Sequence, residues 1–130
     1  MTRCSDAIRI PGGRTAAGEA RAAATAQLGD AIHEDRLRDV HLLLSEVVNN
    51  SVLHGGVDED GWIEIAAAAG DGRVRCEVRD SSDAGDPVPR EPDFDSGGGF
   101  GLFLVDAMAS RWGTDRDSAL TVWFELDLTG

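Results

Sequence analysis

The sequence predicts a two-layer α/β sandwich, in which helices cover one face of a mixed or antiparallel sheet. Three observations predict this class: segments that alternate apolar and polar residues as strands do, segments with the periodicity or composition of helices, and a Gly-Asp-Gly turn between two adjacent strands. In chain order the elements are a strand, two helices, two strands, a long loop, a helix and two strands. A chain of 130 residues is long enough for one core, so we expect a single domain spanning residues 1–130.

The first half of the chain contains one strand and two helices. Residues 6–10 form a short strand that a Pro-Gly-Gly sequence ends. Residues 15–31 favour helix because they are rich in Ala, Arg, Glu and Gln, and Gly29-Asp30 frays the end of this helix. The second helix begins at Glu34 and Asp35, whose carboxylates suit the positive end of a helix, and Gly55 ends it. The core-facing stripe of this helix consists of Leu37, Val40, Leu44, Val48 and Ser51 with Val52.

The second half contains four strands, one helix and a long loop. Residues 61–69 and 73–80 form a hairpin, and in its second strand three apolar residues alternate with charged ones. The same alternation places Asp80 on the apolar face. Residues 81–99 are rich in Pro, Asp, Ser and Gly without periodicity, as in a functional lid or a disordered loop. The remaining elements are a helix over residues 100–110 and two closing strands over 111–115 and 119–128.

Composition excludes several classes of function. Acidic residues outnumber basic ones 24 to 12, and the net charge of −12 argues against nucleic acid or an anionic membrane as the main partner. All the basic residues are arginine, so a Walker-type phosphate loop with its lysine is excluded. Cys4 and Cys76 form no zinc motif, and a reduced thiol is expected at Cys76. Because the first residues lack a hydrophobic signal region, we expect a cytoplasmic protein.

The second helix carries an aligned acid and amide. Glu46, Asn50 and His54 are spaced by four residues and share one helical stripe, whereas Asn49 is rotated about 100° away. A solvated helix face would explain the pair. A phosphate site would also explain it, because an amide oxygen can bind Mg²⁺ and a carboxylate can accept a proton. For His54 the pattern favours a partner of the helix dipole over a catalyst.

Two further features are compatible with a ligand site. A carboxylate at position 80 on the covered face of the sheet needs a donor opposite it or an open cleft, and the amino group of adenine would serve. The alternative is that Asp80 caps the turn after the strand. The glycines before the third helix expose backbone N–H groups that suit an anion, although a hinge and helix cap would explain residues 97–105 equally well.

The order of these features resembles the GHKL ATPase fold, which gyrase, sensor histidine kinases and mismatch-repair ATPases share. The segment "LLLSEVVNNSVLHG" resembles its N-box, "VRDSS" its G1 box, "GGGFGLFLVDAMASRWG" its G2 box and "TVWFEL" its closing strand. Within this fold the chain is similar to the small bacterial anti-sigma factor and serine-protein kinase branch. The resemblance spans nearly the whole chain, and residues 99–113 are its most specific part.

The resemblance implies ATP and Mg²⁺ as ligands and assigns roles to residues. Asn50 would bind Mg²⁺, Glu46 would act as general base, and Asp80 would read the adenine amino group. Residues from about 81 to 98 would form the ATP lid. Phosphates would contact the backbone of Gly98, Gly99, Phe100, Gly101 and Leu102. The partners implied are a sigma factor, an antagonist protein whose serine is phosphorylated, and a second copy of the chain.

Three departures from the family pattern leave two functions open, and one of them is that the predicted lid is strongly acidic, with only Arg90 to meet phosphate. Ser82 replaces a glycine of the G1 box, and Ala119-Leu120 stands where a Gly followed by Thr or Lys is common. An ATP-dependent protein serine kinase that sequesters a sigma factor is favoured by Glu46 and Asn50. A partner-binding module with weak or no nucleotide binding is favoured by Ser82 and Leu120. A fragment of a larger sensor kinase is disfavoured, because no phosphoacceptor helix or membrane span is apparent.

Overall fold

The structure, a computed structural model, describes residues 7–53, 55–81, 101–116 and 119–128. It confirms the predicted class: five antiparallel strands form one sheet in the order β1-β2-β3-β5-β4, and helices cover one face. The strands are β1 (Ile8–Pro11), β2 (Trp62–Gly70), β3 (Arg73–Asp80), β4 (Arg111–Arg116) and β5 (Leu120–Asp127). The helices are α1 (Ala16–Leu28), α2 (Glu34–Leu53) and α3 (Gly101–Met108).

The hairpin between β2 and β3 confirms the local turn prediction. Gly70 pairs with Arg73, and the two residues between them, Asp71 and Gly72, have φ values of 55° and 77°. Positive φ at both central residues is the geometry of a type I′ turn, whose twist matches that of the flanking strands. The turn fixes the register of the hairpin and therefore places Asp80 opposite Ile63.

The helices are slightly shorter than the sequence predicts. Helix α1 ends at Leu28, because Gly29, where the sequence predicts fraying, leaves helical geometry at φ 54°. Helix α3 ends at Met108 instead of residue 110, because the N–H of Ser110 already bonds to Glu125 at the start of the β4–β5 pairing. Within the described residues, no helix has the length and apolarity needed to cross a bilayer.

One core lies between the helices and the inner face of the sheet. On β3 the buried residues are Val74, Cys76, Val78 and Asp80, as the alternation predicts. Helix α2 packs against β3, while α1 packs against β2 and α3 packs against α2. Buried residues of α2 are Val40, Leu43, Leu44, Val47, Val48 and Ser51. The C-terminal turns of α2 therefore lie over the end of β3.

Arginine and tryptophan side chains cover the outer face of the sheet. The guanidinium of Arg9 lies 4.3 Å from the ring centroid of Trp62, and that of Arg75 lies 4.4 Å from Trp123. Each stack is attractive because the π face of an indole is electronegative. Glu64 joins the first group by accepting hydrogen bonds from Arg9 at 2.8 Å and from Arg79 at 3.2 Å. Apolar residues, including Phe124, face the helices, while most charged residues of the sheet and the rings of Trp62 and Trp123 lie on the outer face, which is the pattern of a sheet covered on one side.

Candidate functional site

The predicted site residues on α2 lie at the edge of the core. Glu46 and Asn50 are partly buried, whereas Asn49 is exposed, so the stripe chosen from the sequence is the one that borders the interior. Glu46 precedes Asn50 by one turn, about 6 Å along the helix axis. Burial raises the pKa of the Glu46 carboxyl above its ordinary value, because desolvation disfavours the charged form. A fully solvated helix face does not fit this environment.

The end of α2 is tied to the loop that follows it. The carbonyl of Asn50 accepts a hydrogen bond from the N–H of Gly55 at 3.2 Å, and that of Ser51 accepts one from Val57 at 3.2 Å. These bonds satisfy C-terminal carbonyls of the helix that have no intrahelical partner. They fix the backbone of the turn that carries Asn50. His54 lies outside the described residues.

Asp80 is the most deeply buried charged residue among those described, with 1% of its surface exposed. Its Oδ2 accepts a hydrogen bond from the hydroxyl of Ser51 at 2.5 Å, so the carboxylate faces the last turns of α2. The two residues are 29 positions apart in the sequence, and the Ser51 hydroxyl is a donor of the kind that the sequence predicts opposite the buried carboxylate. The hydrogen bond to Ser51 favours an interior role for Asp80 over the alternative that Asp80 only caps the following turn.

The backbone just after Asp80 is held by β2. The hydroxyl of Ser81 accepts a hydrogen bond from the N–H of Trp62 at 3.2 Å, and the N–H of Ser81 donates to the carbonyl of Trp62 at 3.3 Å. Gly61 allows this approach, since a Cβ there would lie 3.0 Å from the Ser81 Oγ. The segment predicted to be the lid therefore starts from a fixed point at Ser81, and its remainder, residues 82–98, lies outside the described residues.

The predicted phosphate cradle is described only in part. Gly98, Gly99 and Phe100 lie outside the described residues. Gly101 and Leu102 form the first turn of α3, whose N-terminus offers backbone donors and the positive end of the helix dipole. The side chain of Leu102 is buried with 3% exposed, so only its backbone is available to a ligand. Because α3 packs against α2, this turn belongs to the same helical layer as Asn50.

The closing strand places an apolar side chain beside Asp80. Leu120 pairs directly with Asp80 across β3 and β5 and is buried with 5% exposed, as its parity predicts. Thr121 lies on the outer face opposite Arg79 and cannot replace it. A polar group on β5 next to the Asp80 carboxylate is therefore absent from the described residues.

Ser51 is the site residue that the sequence interpretation assigned only to the core stripe. Position 51 follows Val47 and Val48 at helical spacings, which predicts that it faces the interior. A hydroxyl at such a position was a signal for a buried partner. That this partner is Asp80 depends on how α2 crosses β3, which no local pattern specifies.

The donor set fits a hard cation held together with phosphates. An amide oxygen at Asn50 is a ligand type that Mg²⁺ accepts, and Mg²⁺ commonly completes its coordination with phosphate oxygens and water. In the described part of the chain, no three His, Cys, Asp or Glu side chains converge into a group able to hold a metal ion. Asn50 would hold such an ion through its side-chain oxygen.

Comparison with known proteins defines the class. The family profile of the histidine kinase-like ATPase domain matches residues 12–124, and the chain belongs to this family. This confirms the resemblance to the GHKL fold.

Individual relatives agree with this assignment. The anti-sigma F factors of Clostridium botulinum strains Eklund 17B and Alaska E43 are each 39% identical to the chain over 70 residues. The matched segment is 53% of this chain and 48% of each relative, so the match spans about half the length of these curated relatives.

Solved structures share the fold. Two nucleotide-free forms of the catalytic domain of histidine kinase ThkA superpose with TM-scores of 0.55 and 0.52, at 16% and 13% identity. The superpositions cover 94% of this chain and 95% and 97% of the kinase domains. At this identity the likeness concerns the fold alone.

Proposed function

We propose that this protein is an ATP- and Mg²⁺-dependent regulator of the anti-sigma type, which phosphorylates a serine of an antagonist protein and sequesters a sigma factor. The observation that carries the proposal is the carboxylate of Asp80, buried within an apolar core and directed at the end of α2. Burying a carboxylate costs folding free energy even when Ser51 donates a hydrogen bond to it, and this cost supports a role for Asp80 in binding a ligand. Membership of an ATPase domain family and similarity to anti-sigma F factors support the choice of ligand and of regulator class.

Each site residue has one proposed role in binding. Asp80 accepts a hydrogen bond from the amino group of adenine, and the side-chain oxygen of Asn50 binds Mg²⁺. The backbone from Gly98 to Leu102, through the N-terminus of α3, donates hydrogen bonds to phosphates. Residues from about 81 to 98 close over the nucleotide as a lid.

Phosphoryl transfer needs a base for the attacking hydroxyl. When bound, ATP supplies the γ-phosphoryl group, and Mg²⁺ offsets the negative charge on it. Glu46 accepts the proton of the antagonist's serine hydroxyl while the serine oxygen bonds to the γ-phosphorus and the bond to ADP breaks. The raised pKa of Glu46 makes its carboxylate a stronger base than an exposed glutamate, which suits this role.

The charge of the chain bears on its protein partners. With a net charge of −12, we expect a sigma factor or antagonist that presents exposed arginines or lysines, because opposite charge accelerates encounter. Raising the salt concentration should slow association, and association rates that do not change with salt would contradict this expectation. A homodimer, a location in the cytoplasm and the absence of direct nucleic acid or membrane binding stay predictions.

A partner-binding module without catalysis is the second candidate. The observation that favours it is Leu120, a buried apolar residue paired with Asp80 where relatives of the fold often supply a polar group. In this case the protein would sequester its partner with nucleotide bound weakly or not at all, and Glu46 would have no role.

A phosphorylation assay separates the two candidates. The protein is incubated with γ-labelled ATP, Mg²⁺ and candidate antagonist proteins, and phosphoserine is measured for wild type, Glu46→Gln and Glu34→Gln. Glu34 is an exposed glutamate at the start of α2, three turns from Glu46, so it controls for loss of a negative charge on the same helix. We expect Glu46→Gln to reduce the rate at least a hundredfold and Glu34→Gln to leave it unchanged.

The pH dependence provides a second readout. A general base acts only when deprotonated, so phosphorylation should fall as the pH drops through the pKa of Glu46, which burial places above that of an exposed glutamate. If neither wild type nor Glu46→Gln phosphorylates any candidate while both bind a sigma factor, the kinase proposal fails and the binding module is favoured.

A further inference from the structure

Ser51 and Asp80 are the two buried polar side chains among the described residues. They are exposed by 5% and 1%, and the O–H···O distance between them is 2.5 Å. This lies in the range of charge-assisted hydrogen bonds between a hydroxyl and a carboxylate, which are about twice as strong as bonds between neutral groups. Apolar side chains surround the pair, including Ile63 and Leu120 on the two strands beside Asp80.

The hydroxyl of Ser51 has little freedom to move. Ser51 lies in the last turn of the packed helix α2, with Val47 and Val48 buried one turn before it. Its own carbonyl is bonded to Val57, so the backbone is held on both sides of the side chain. A donor held in this way restricts the orientations of the carboxylate that accepts from it, and so limits the directions in which that carboxylate can accept a second hydrogen bond.

We propose that Ser51 is a positioning residue that orients Asp80 for recognition of an exocyclic amino group on a purine. The inference rests on the proposed ATP site and adds to it the residue that sets base preference. An amino group at position 6, as in adenine, donates to a carboxylate, whereas a purine with an oxygen or hydrogen there cannot. The rigid bond to Ser51 selects the orientation in which Asp80 accepts from that donor, and no rotation of the carboxylate is then needed on binding.

A purely structural role makes a different prediction. If Ser51 only satisfies a buried carboxylate, its removal weakens folding and affects every nucleotide alike. If Ser51 orients Asp80, its removal lowers affinity for ATP but not for a purine riboside triphosphate, which lacks the amino group. The two roles therefore predict different ratios of ATP affinity to purine riboside triphosphate affinity in the variant, in addition to any effect on stability.

The experiment measures binding of Mg²⁺-ATP and Mg²⁺-purine riboside triphosphate by calorimetry. The variants are Ser51→Ala, Asp80→Asn and the double variant. Ser110→Ala is the control for loss of a serine hydroxyl, because it removes a hydrogen bond in which the Ser110 hydroxyl accepts from the N–H of Asp127, at the opposite end of the sheet from Asp80. We expect Ser51→Ala to weaken ATP binding about tenfold, to leave the analogue unchanged, and to add nothing in the double variant. Ser110→Ala should keep the wild-type preference.

Each outcome decides between the proposals. Equal losses of ATP and analogue affinity, or losses that add in the double variant, would overturn the positioning role while leaving the ATP site in place. If wild type binds neither nucleotide, the proposed function fails and this inference fails with it. Should Ser51→Ala not fold, Ser51→Cys keeps nearly the same volume with a much weaker donor and should show the same loss of preference; a wild-type preference in that variant would overturn the inference.

Discussion

Replacement of Asp80 by asparagine separates its role in binding from its role in folding. Asparagine has nearly the shape of aspartate, and its side-chain oxygen can still accept the hydrogen bond from Ser51. The nucleotide-free protein should therefore lose no more than about 1 kcal/mol in free energy of unfolding. When adenine binds, however, the amide NH₂ group of the asparagine would lie opposite the adenine amino group. Both groups are hydrogen-bond donors, so no hydrogen bond can form between them. Loss of a hydrogen bond to a charged group costs about 1.5–3 kcal/mol, which corresponds to about 10- to 150-fold weaker ATP binding.

Thermal unfolding with and without Mg²⁺-ATP measures both effects in one experiment. At an ATP concentration of 100 times the wild-type Kd, ligand binding stabilises wild type by about 2.7 kcal/mol. For a domain of this size that raises Tm by roughly 10 °C. The same concentration should stabilise Asp80→Asn by about 0.3–1.4 kcal/mol, or roughly 1–5 °C.

Two results would refute this reasoning. An ATP-induced Tm increase in Asp80→Asn equal to that of wild type would show that Asp80 does not contact the nucleotide. A large fall in the nucleotide-free Tm with no change in the ATP effect would show that the carboxylate serves the fold and not the ligand. Ser110→Ala is again the control. Its nucleotide-free Tm and its ATP-induced Tm increase should differ from those of wild type by no more than the loss of one exposed hydrogen bond explains.

Two further predictions concern the scaffold. Gly12→Ala should destabilise the fold by about 1–3 kcal/mol in chemical unfolding, because a Cβ at this position would lie 2.4 Å from the carbonyl oxygen of Asp58. Gly18 lies at an exposed position of α1 with space around it, so Gly18→Ala should instead stabilise the fold by about 0.5–1 kcal/mol. Equal effects of the two substitutions would contradict the packing argument. Glu64→Gln should lower the free energy of unfolding by about 0.5–1 kcal/mol at neutral pH, because hydrogen bonds from Arg9 and then Arg79 lower the pKa of Glu64 in the folded protein. This stabilisation is present above the pKa of Glu64 in the unfolded chain and is lost as the pH falls through its pKa in the folded protein. Unfolding curves of the two proteins should therefore converge in acid, and a difference that persists there would refute the electrostatic origin.

Much of the fold follows from short-range patterns. The period-2 alternation of β3 fixed which of its residues face the core, and so predicted that Asp80 lies inside. The helical stripe of α2 distinguished Glu46 and Asn50 from the exposed Asn49. Element boundaries were less accurate by one to three residues, since the last turn of a helix depends on which hydrogen bonds its backbone groups make, as where the N–H of Ser110 bonds to Glu125.

The sequence by itself therefore determined the layered class, the turn at Asp71-Gly72 and the faces of the main elements, because each depends on neighbours within a few positions. Only the tertiary structure decided the partners of residues far apart. The crossing of α2 over β3 brings Ser51 to Asp80, and the packing of α1 lets the Gln27 amide accept from Ala67 at 2.7 Å and donate to Ile65 at 3.3 Å on the edge of β2. These contacts depend on helix crossing and strand order, which are set by the packing of the whole core and are not encoded in any single segment.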